Sequence, residues 1–316
     1  MTAQPLLRLG TRGSPLALAQ ADEVRRRLGA AHPELAGADA VAVVVIKTTG
    51  DLVQDRALSE IGGKGLFTKE IEEALLAGQI DAAVHSMKDV PTWLPDGLVV
   101  DHLLPREDPR DALFSNHGPG LADLPPGAVV GTASLRRQAQ LLAWRPDLQV
   151  VNFRGNVATR LRKLAAGEVD ATLLAVAGLK RLGEADKITS ALDPEVMLPA
   201  AGQGAVGLEI RAEDSATRTW LDAIDCAATR SRVTAERALL AELDGSCKTP
   251  IAGLAEIAAD GGTLRLRGLV ALPDGSKVHA AETHGPAAAA DSLGRDLGRQ
   301  LKAVGGPEFF AAITGH

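Results

Sequence analysis

Apolar and polar positions follow two different periods along the first two-thirds of the chain. Short runs rich in Val, Leu, Ile and Ala are typical of strands buried on both faces, and apolar residues every three or four positions are typical of amphipathic helices. The pattern predicts strands over 6–9, 41–46, 80–84, 128–131, 148–153 and 169–176. It predicts helices after Ser14, over 66–77, after Ser134 and around Arg160. Strands that alternate with helices favour a mostly parallel sheet.

The motifs at the ends of these elements occur twice. Gly10-Thr11 followed by Ser14 corresponds to Gly131-Thr132 followed by Ser134, each where a strand gives way to a helix. Residues 77–82 correspond in the same way to residues 166–171. We therefore expect two similar α/β lobes with a proline-containing crossover over 103–111. Hinged together, such lobes would bring helix N-termini and basic strand ends to one cleft.

The last third of the chain has a different character. The pattern predicts a helix over 233–243, a loop over 244–250, and strands over 251–258, 263–272 and 277–283 joined by Asp-Gly turns. A helix follows Pro286. This describes a small α+β domain with a three-stranded antiparallel sheet. We expect the first lobe over 1–104 and 205–222, the second lobe over 105–204 and the C-terminal domain over 223–316.

Two glycine-rich segments match nucleotide-binding motifs only in part. Gly202–Gly207 has the spacing G-x-G-x-x-G, but Pro199 precedes it, and Val206, Leu208 and Ile210 alternate as in a strand. A dinucleotide site needs a strand before this motif and a helix after it. We therefore favour a strand that returns to the first lobe. The loop over 62–65 lacks the spacing of a phosphate-binding P-loop.

Composition excludes several classes of protein. A hydrophobic content of 46% and a charged content of 23% are typical of a globular protein. The net charge of −6 and the absence of tyrosine argue against nucleic-acid binding. The two cysteines are too few for a disulfide framework and lack zinc-ligand spacing, so we expect no metal. With no membrane-length apolar run and no signal-peptide core, we expect a cytoplasmic protein without a membrane partner. We also expect a monomer.

Basic residues nevertheless occupy positions that favour an anionic ligand. A single one of them is explained by a solvated surface, but together they favour a site for a small polyanion. They lie at predicted loop ends or first helical turns and are Arg12, Lys64, Lys88, Arg136, Arg137, Arg154, Arg160 and Arg181.

Two further residues could carry chemistry. Asp89 follows the strand over 80–84, at the end where open α/β sheets bind ligands. Cys247 lies in a Gly-Ser loop and is expected to be exposed, whereas Cys226 is expected to be a packed, inert thiol.

Over essentially its full length the chain resembles the porphobilinogen deaminase family. The motifs that carry the resemblance are residues 11–17 (TRGSPLA), 63–67 (GKGLF), 85–91 (HSMKDVP), 131–137 (GTASLRR), 153–157 (FRGNV), 202–205 (GQGA) and 245–247 (GSC). The resemblance is specific because several motifs occur in the right order. A single motif would not make it specific.

The resemblance implies two lobes like those of type II periplasmic binding proteins and a third domain. It also implies one covalent dipyrromethane cofactor per chain, attached by a thioether to Cys247. The implied reaction joins four porphobilinogen molecules head to tail with release of ammonia, and hydrolysis then frees the linear hydroxymethylbilane. Each pyrrole carries an acetate and a propionate, which agrees with the basic residues at the strand ends.

The resemblance also implies residue roles. Asp89 would handle protons and stabilise the positively charged azafulvene-like intermediate. The residues implied to hold the cofactor carboxylates are Lys88, Ser134, Arg136 and Arg137. Those implied to bind the substrate and the growing chain are Arg12, Ser14, Lys64, Thr132, Arg154, Asn156, Arg160, Arg181 and Gln203.

The residues by themselves leave two other functions open. A two-lobed anion sensor or solute receptor would explain the lobes and the arginines, but not Cys247 or the third domain. A cysteine-dependent transferase acting on another polycarboxylate would explain Cys247. The intact mass of the purified protein separates these cases, because a binding protein carries no adduct.

Overall fold

A computed structural model describes residues 5–52, 67–246 and 249–314. These residues form two compact units. The first unit contains residues 5–52, 67–107 and 205–230, and the second contains residues 108–204, 231–246 and 249–314. Lys64, with its predicted loop, and Cys247 lie outside the described residues.

The helices and strands alternate along most of the chain. The elements up to the crossover are β1 (Leu7–Thr11), α1 (Pro15–Ala31), β2 (Val41–Val45), α2 (Thr49–Leu52), α3 (Lys69–Leu76), β3 (Ala82–Ser86) and β4 (Leu98–Leu103). Those that follow are β5 (Asp111–Ser115), β6 (Val129–Gly131), α4 (Leu135–Trp144), β7 (Gln149–Val151), α5 (Val157–Ala165), β8 (Ala171–Ala175), α6 (Val176–Arg181) and β9 (Ser190–Ala191). The last are β10 (Val206–Arg211), α7 (Ser215–Asp222), α8 (Ala227–Glu242), β11 (Ile251–Ile257), β12 (Thr263–Ala271), β13 (Val278–Pro286) and α9 (Ala290–Thr314).

The first unit contains a five-stranded sheet in the order β2-β1-β3-β10-β4. β1 is parallel to β2 and β3, and β10 is antiparallel to both of its neighbours. Ser14 caps α1 as predicted, since its Oγ accepts a hydrogen bond from the Ala17 amide at 3.2 Å. The predicted apolar face of α1, including Val24 and Leu28, packs on one face of the sheet, and Ile71 of α3 is buried in a separate core cluster.

The second unit repeats this arrangement with the order β7-β6-β8-β5-β9. β6 is parallel to β7 and β8, and β5 is antiparallel to β8 and β9. In each sheet four strands run in one direction and one strand runs against them. The reversed strand is β10 in the first sheet and β5 in the second. The predicted pair of similar, mostly parallel α/β lobes is therefore confirmed. The pattern did not predict β4 and β5, which flank the crossover, or α7.

The second unit also contains the three-stranded antiparallel sheet predicted near the C-terminus, in the order β11-β12-β13. Leu239 of α8 and Leu297 of α9 belong to the same buried cluster as Leu266 of β12. α8 begins six residues earlier than predicted, directly after Cys226. That thiol, expected to be packed, is only partly buried.

The fold class is therefore α/β, with two lobes and a small α+β C-terminal domain. The predicted domain boundaries stay a prediction. Within the described ranges, no helix combines the length and the apolar character needed to cross a membrane.

The absence of a side chain at Gly207 of β10 leaves space for Met87, which directly follows β3. Gly207 lies opposite His85 in the sheet, and a Cβ built on it would lie 2.1 Å from Sδ of the buried Met87. We expect Gly207→Ala to lower the free energy of unfolding by about 1–3 kcal/mol, because overpacking forces side chains and backbone to move. Urea unfolding measures this change.

Gly262→Ala is the matched control. Gly262 lies in an exposed turn, and a Cβ there would meet no atom within 4 Å. We expect it to change the free energy of unfolding by less than about 0.5 kcal/mol. Equal effects of the two substitutions would show that the contact between Gly207 and Met87 does not constrain the sheet.

Candidate functional site

The end of β3 is fixed by its backbone. The strand begins two residues later than predicted and includes His85 and Ser86, and a short 3-10 turn over Met87–Asp89 follows it. The Met87 amide donates to the Ala205 carbonyl at 3.0 Å, and the Val90 amide donates to the Met87 carbonyl. Lys88 and Asp89 are thereby held, partly exposed, at the carboxyl end of the strand.

A small pocket lies at this end of the first sheet. Its lining includes Arg12, Ser14, His85, Ser86 and Asp89. The structure therefore brings together three of the predicted site residues, Arg12, Ser14 and Asp89. Lys88 is next to Asp89 in the chain but does not contribute to the lining.

Two of the lining residues are already oriented by the protein. The Arg12 guanidinium lies 4.1 Å from the centroid of the Phe67 ring, which restrains its position. The Ser14 oxygen accepts the cap hydrogen bond of α1, so the hydroxyl proton is the part that can bind a ligand. The Gln20 amide also reaches the pocket wall, where Nε2 donates to Ser86 Oγ at 2.8 Å.

Beside the pocket is a set of buried acid and base groups that the sequence pattern did not predict. His85 Nε2 lies 2.9 Å from Oε2 of Glu209, and both side chains are buried. Burial raises the pKa of Glu72 on α3, and the nearby Glu209 carboxylate raises it further, while His85 opposes the rise. The signal in the sequence was Glu209, which lies between the apolar Leu208 and Ile210 in β10.

In the second unit two predicted arginines surround a buried carboxylate. Arg136 Nη2 lies 2.8 Å from Asp111 Oδ2, and Arg137 Nη2 lies 2.7 Å from Asp111 Oδ1. Gln203 Nε2 donates to Asp111 Oδ1 at 2.9 Å. All four residues are buried. The sequence pattern did not identify Asp111, although its charged side chain at the end of the predicted crossover was visible.

The charge state of this network follows from its geometry. Burial alone would raise the pKa of Asp111, but the two guanidiniums and the hydrogen bonds from Arg137 and Gln203 bring it well below its ordinary value. Burial lowers the pKa of Arg136. Two positive charges and one negative charge therefore lie together at the start of α4.

More positive charge lies at the start of α5. Asn156 caps this helix, accepting a hydrogen bond from the Thr159 amide at 2.9 Å, and Arg160 Nε donates to the Gly155 carbonyl at 2.9 Å. Burial, together with the nearby positive charges of Arg137 and Arg154, lowers the pKa of Arg160 to about 10. Guanidiniums that disfavour one another's charge in this way would be stabilised by a bound anion.

Three further predicted residues belong to the second unit. Thr132 and Ser134 directly precede α4, and Arg181 bonds to the backbone shortly before β10. Thr132 Oγ1 accepts a hydrogen bond from the Ser134 amide, and Ser134 caps α4. Arg181 Nη1 donates to the Gly204 carbonyl at 3.2 Å, next to Gln203. Lys64 and Cys247 lie outside the described residues, so their predicted roles are not tested.

Two family models match most of the chain. The model described as "Porphobilinogen deaminase, dipyromethane cofactor binding domain" matches residues 7–219. The model described as "Porphobilinogen deaminase, C-terminal domain" matches residues 230–303.

Curated relatives are similar over nearly the whole chain. The porphobilinogen deaminase of Paracoccus denitrificans is 59% identical over 304 residues, which cover 96% of each chain. The chloroplastic porphobilinogen deaminase of Oryza sativa subsp. japonica is 55% identical over 98% of this chain and 86% of its own.

Two solved structures show a more distant similarity. A periplasmic substrate-binding protein of an ABC transporter from Coxiella burnetii has a TM-score of 0.42 and 15% identity, over 69% of this chain and 91% of its own. The L-cystine solute receptor of Neisseria gonorrhoeae has a TM-score of 0.36 and 19% identity, over 69% and 84%.

Asp111→Asn tests the buried network of the second unit. Asparagine leaves two buried guanidiniums without their counter-charge, and we expect the free energy of unfolding to fall by about 3–5 kcal/mol at pH 7. The pKa of Asp111 is depressed in the folded state. Its contribution is therefore complete above the unfolded pKa of about 3.9 and is lost as pH falls toward the folded pKa. Urea unfolding at pH 6 and pH 8 should give the same difference between the two proteins.

Asp291→Asn serves as the comparison, because Asp291 forms an exposed ion pair with Arg295 within α9. Such pairs contribute little, so we expect no measurable change. If Asp111→Asn loses no more stability than Asp291→Asn, the buried carboxylate does not hold the two arginines.

Proposed function

The chain belongs to the porphobilinogen deaminase family, and from this premise we propose that the residues of the candidate site perform the family's reaction. The protein is a transferase that joins four porphobilinogen molecules head to tail into hydroxymethylbilane, with release of ammonia at each step. A dipyrromethane cofactor primes the reaction. The observation that carries the assignment of roles is the concentration of guanidinium groups at the starts of α4 and α5, where Arg160 has a lowered pKa.

The residues of the second unit fit a dipyrromethane, which carries acetate and propionate groups. Asp111 balances only one of the charges of Arg136 and Arg137, so a ligand carboxylate would be stabilised beside them. Arg137 donates three of its five N–H groups to Asp111 and the Leu173 carbonyl, and we propose that the other two donate to a ligand carboxylate. We propose that Lys88, Ser134, Arg136 and Arg137 hold the cofactor carboxylates and that Cys247 forms the thioether.

The substrate and the growing chain bring more carboxylates of the same kind. We propose that the guanidiniums of Arg12, Arg154, Arg160 and Arg181 bind them, with Lys64. The hydroxyl and amide groups proposed to assist are Ser14, Thr132, Asn156 and Gln203. Support comes from the Arg12 guanidinium in the pocket of Asp89 and from the excess positive charge around Arg160.

We propose that Asp89 is the catalytic carboxylate. Loss of ammonia leaves a delocalised cation on the substrate, and a fixed negative charge beside it lowers the energy of that cation. Asp89 is suited to this because two backbone hydrogen bonds hold the turn over Met87–Asp89: the Met87 amide donates to the Ala205 carbonyl, and the Val90 amide donates to the Met87 carbonyl. When bound, the dipyrromethane supplies the ring carbon at which the first substrate is joined.

Family membership favours this reaction over a solute receptor or a transferase of another polycarboxylate. That the protein acts as a cytoplasmic monomer, with no nucleic-acid or membrane partner, stays a prediction.

The intact mass of the purified protein tests the cofactor and its attachment together. We expect the unmutated protein to exceed its sequence mass by one dipyrromethane, and Cys247→Ala to lose that excess because the thioether cannot form. Cys226→Ala is the control and should keep the adduct. An adduct that survives at full level in Cys247→Ala would place the attachment elsewhere.

Asp89→Asn tests the catalytic carboxylate. Asparagine keeps the size of the side chain but removes its charge, so we expect turnover to fall by about 10²-fold or more. The variant is first loaded with preformed cofactor, because cofactor assembly needs similar chemistry, and ammonia and bilane formation are then measured. Asp96→Asn removes an exposed carboxylate seven residues away and should leave turnover unchanged. Turnover of Asp89→Asn within a few-fold of the unmutated protein would rule out this role.

A further inference from the structure

His85 connects a buried carboxylate with the pocket that contains Asp89. Its Nε2 lies 2.9 Å from Oε2 of Glu209, whose side chain is completely buried. The imidazole is 5% exposed and lines the pocket together with Arg12 and Asp89. Oε1 of Glu209 has no hydrogen-bond partner among the residues that the structure describes, so the contact with His85 is the one that fixes this carboxylate.

The second nitrogen of His85 is the one that can react. Within residues 5–52, 67–246 and 249–314, Nδ1 has no hydrogen-bond partner. It is also not fully enclosed by the protein, unlike Nδ1 of His102. Since the ring lines the pocket and Nε2 is bonded to Glu209, Nδ1 is the nitrogen left for a group bound there. A carboxylate that accepts a hydrogen bond from one imidazole nitrogen fixes the tautomer. In the neutral ring Nδ1 is then a proton acceptor.

We propose that His85 Nδ1 accepts the proton that each condensation removes from the attacked ring carbon, with Glu209 as its positioning residue. This rests on the proposed function, since it places the reaction at the pocket of Asp89. It gives the two groups different tasks. If Asp89 took the proton, its negative charge would be lost at the point where the next substrate cation needs it. A separate proton acceptor keeps Asp89 ionised through all the rounds.

The step balances within the known reaction. The C–H bond of the attacked carbon breaks, its electron pair returns to the pyrrole ring, and the proton binds His85 Nδ1. The imidazolium keeps its Nε2–H bonded to Glu209. The ammonia released in the same round then takes the proton from Nδ1 and leaves as ammonium, which restores the neutral ring.

The charged groups around His85 suit this transient imidazolium. Glu209 faces it from β10, Glu72 from α3 and Asp89 from the turn after β3, and Arg12 lies in the pocket after β1. These carboxyl groups stabilise the positive charge of the imidazolium. The charge is short-lived, because the released ammonia is a stronger base than imidazole and removes the proton.

His102 provides a matched control in the same sheet. It is a buried histidine on β4, its Nε2 lies 2.8 Å from Asp222 Oδ1, and its Nδ1 is enclosed without a partner. It does not line the pocket. His85→Gln and His102→Gln therefore each remove a buried imidazole that is bonded to a carboxylate. His85 lines the pocket and has a buried partner, whereas His102 does not line it and its partner Asp222 is 67% exposed.

The experiment uses holoprotein and compares turnover of porphobilinogen with that of porphobilinogen deuterated at its free ring carbon. We expect His85→Gln to lower kcat by about 10²-fold and to raise the primary isotope effect, because proton removal becomes limiting. Glu209→Gln should raise the isotope effect in the same direction with a smaller loss of kcat. His102→Gln should leave both quantities at the values of the unmutated protein.

A second measurement needs no variant to fold or turn over. The ¹⁵N NMR signals of the His85 ring in the resting holoprotein should show the proton on Nε2. A ring protonated only on Nδ1 would overturn the proposal, as would an unchanged isotope effect in His85→Gln or the same rise in His102→Gln. A failure of the proposed function looks different, since the unmutated protein would then form no ammonia or bilane, or Asp89→Asn would keep its turnover.

Discussion

Guanidinium groups repel one another, and the second unit nevertheless places Arg136, Arg137, Arg154 and Arg160 close enough to interact. Asp111 makes this possible, since its buried carboxylate bridges two of them and also binds Gln203. Asp111 carries one negative charge and binds two guanidiniums, so this network keeps a net positive charge. The same ions that hold α4 against β5 therefore also create the affinity for a polycarboxylate, so stability and ligand binding depend on one network.

In the first unit the group that must be held in place is a carboxylate, Asp89, which we propose stabilises a developing cation. The backbone of the turn over Met87–Asp89 is bonded to the residues before β10, and the side chain of Met87 fills the space left by Gly207. The position of Asp89 is thus set by a strand that lies more than a hundred residues further along the chain. Its geometry depends on sheet pairing and little on its own neighbours in sequence.

Local patterns predicted what depends on local physics. The cap at Ser14, the strands with continuous apolar runs and the three-stranded C-terminal sheet were all visible, because each follows from residue type and spacing. β4 and β5 were missed because polar residues such as His102 and Asp111 interrupt their apolar pattern. The site was predicted in part for the same reason. Arginines near helix starts could be recognised, whereas the partners Asp111 and Glu209 become visible only when β-strands distant in sequence are paired.

The strand order has a consequence for synthesis of the protein on the ribosome. β10 lies between β3 and β4, so the first sheet is incomplete until the chain has been made beyond residue 206. From the end of β4 at residue 103 this is 103 further residues, or about 5 to 20 s of translation. During that time β3 and β4 lack the strand that joins them, and the end of β3 lacks the partner that positions Asp89. The nascent first lobe must therefore wait, with an open apolar sheet, for the second lobe to emerge.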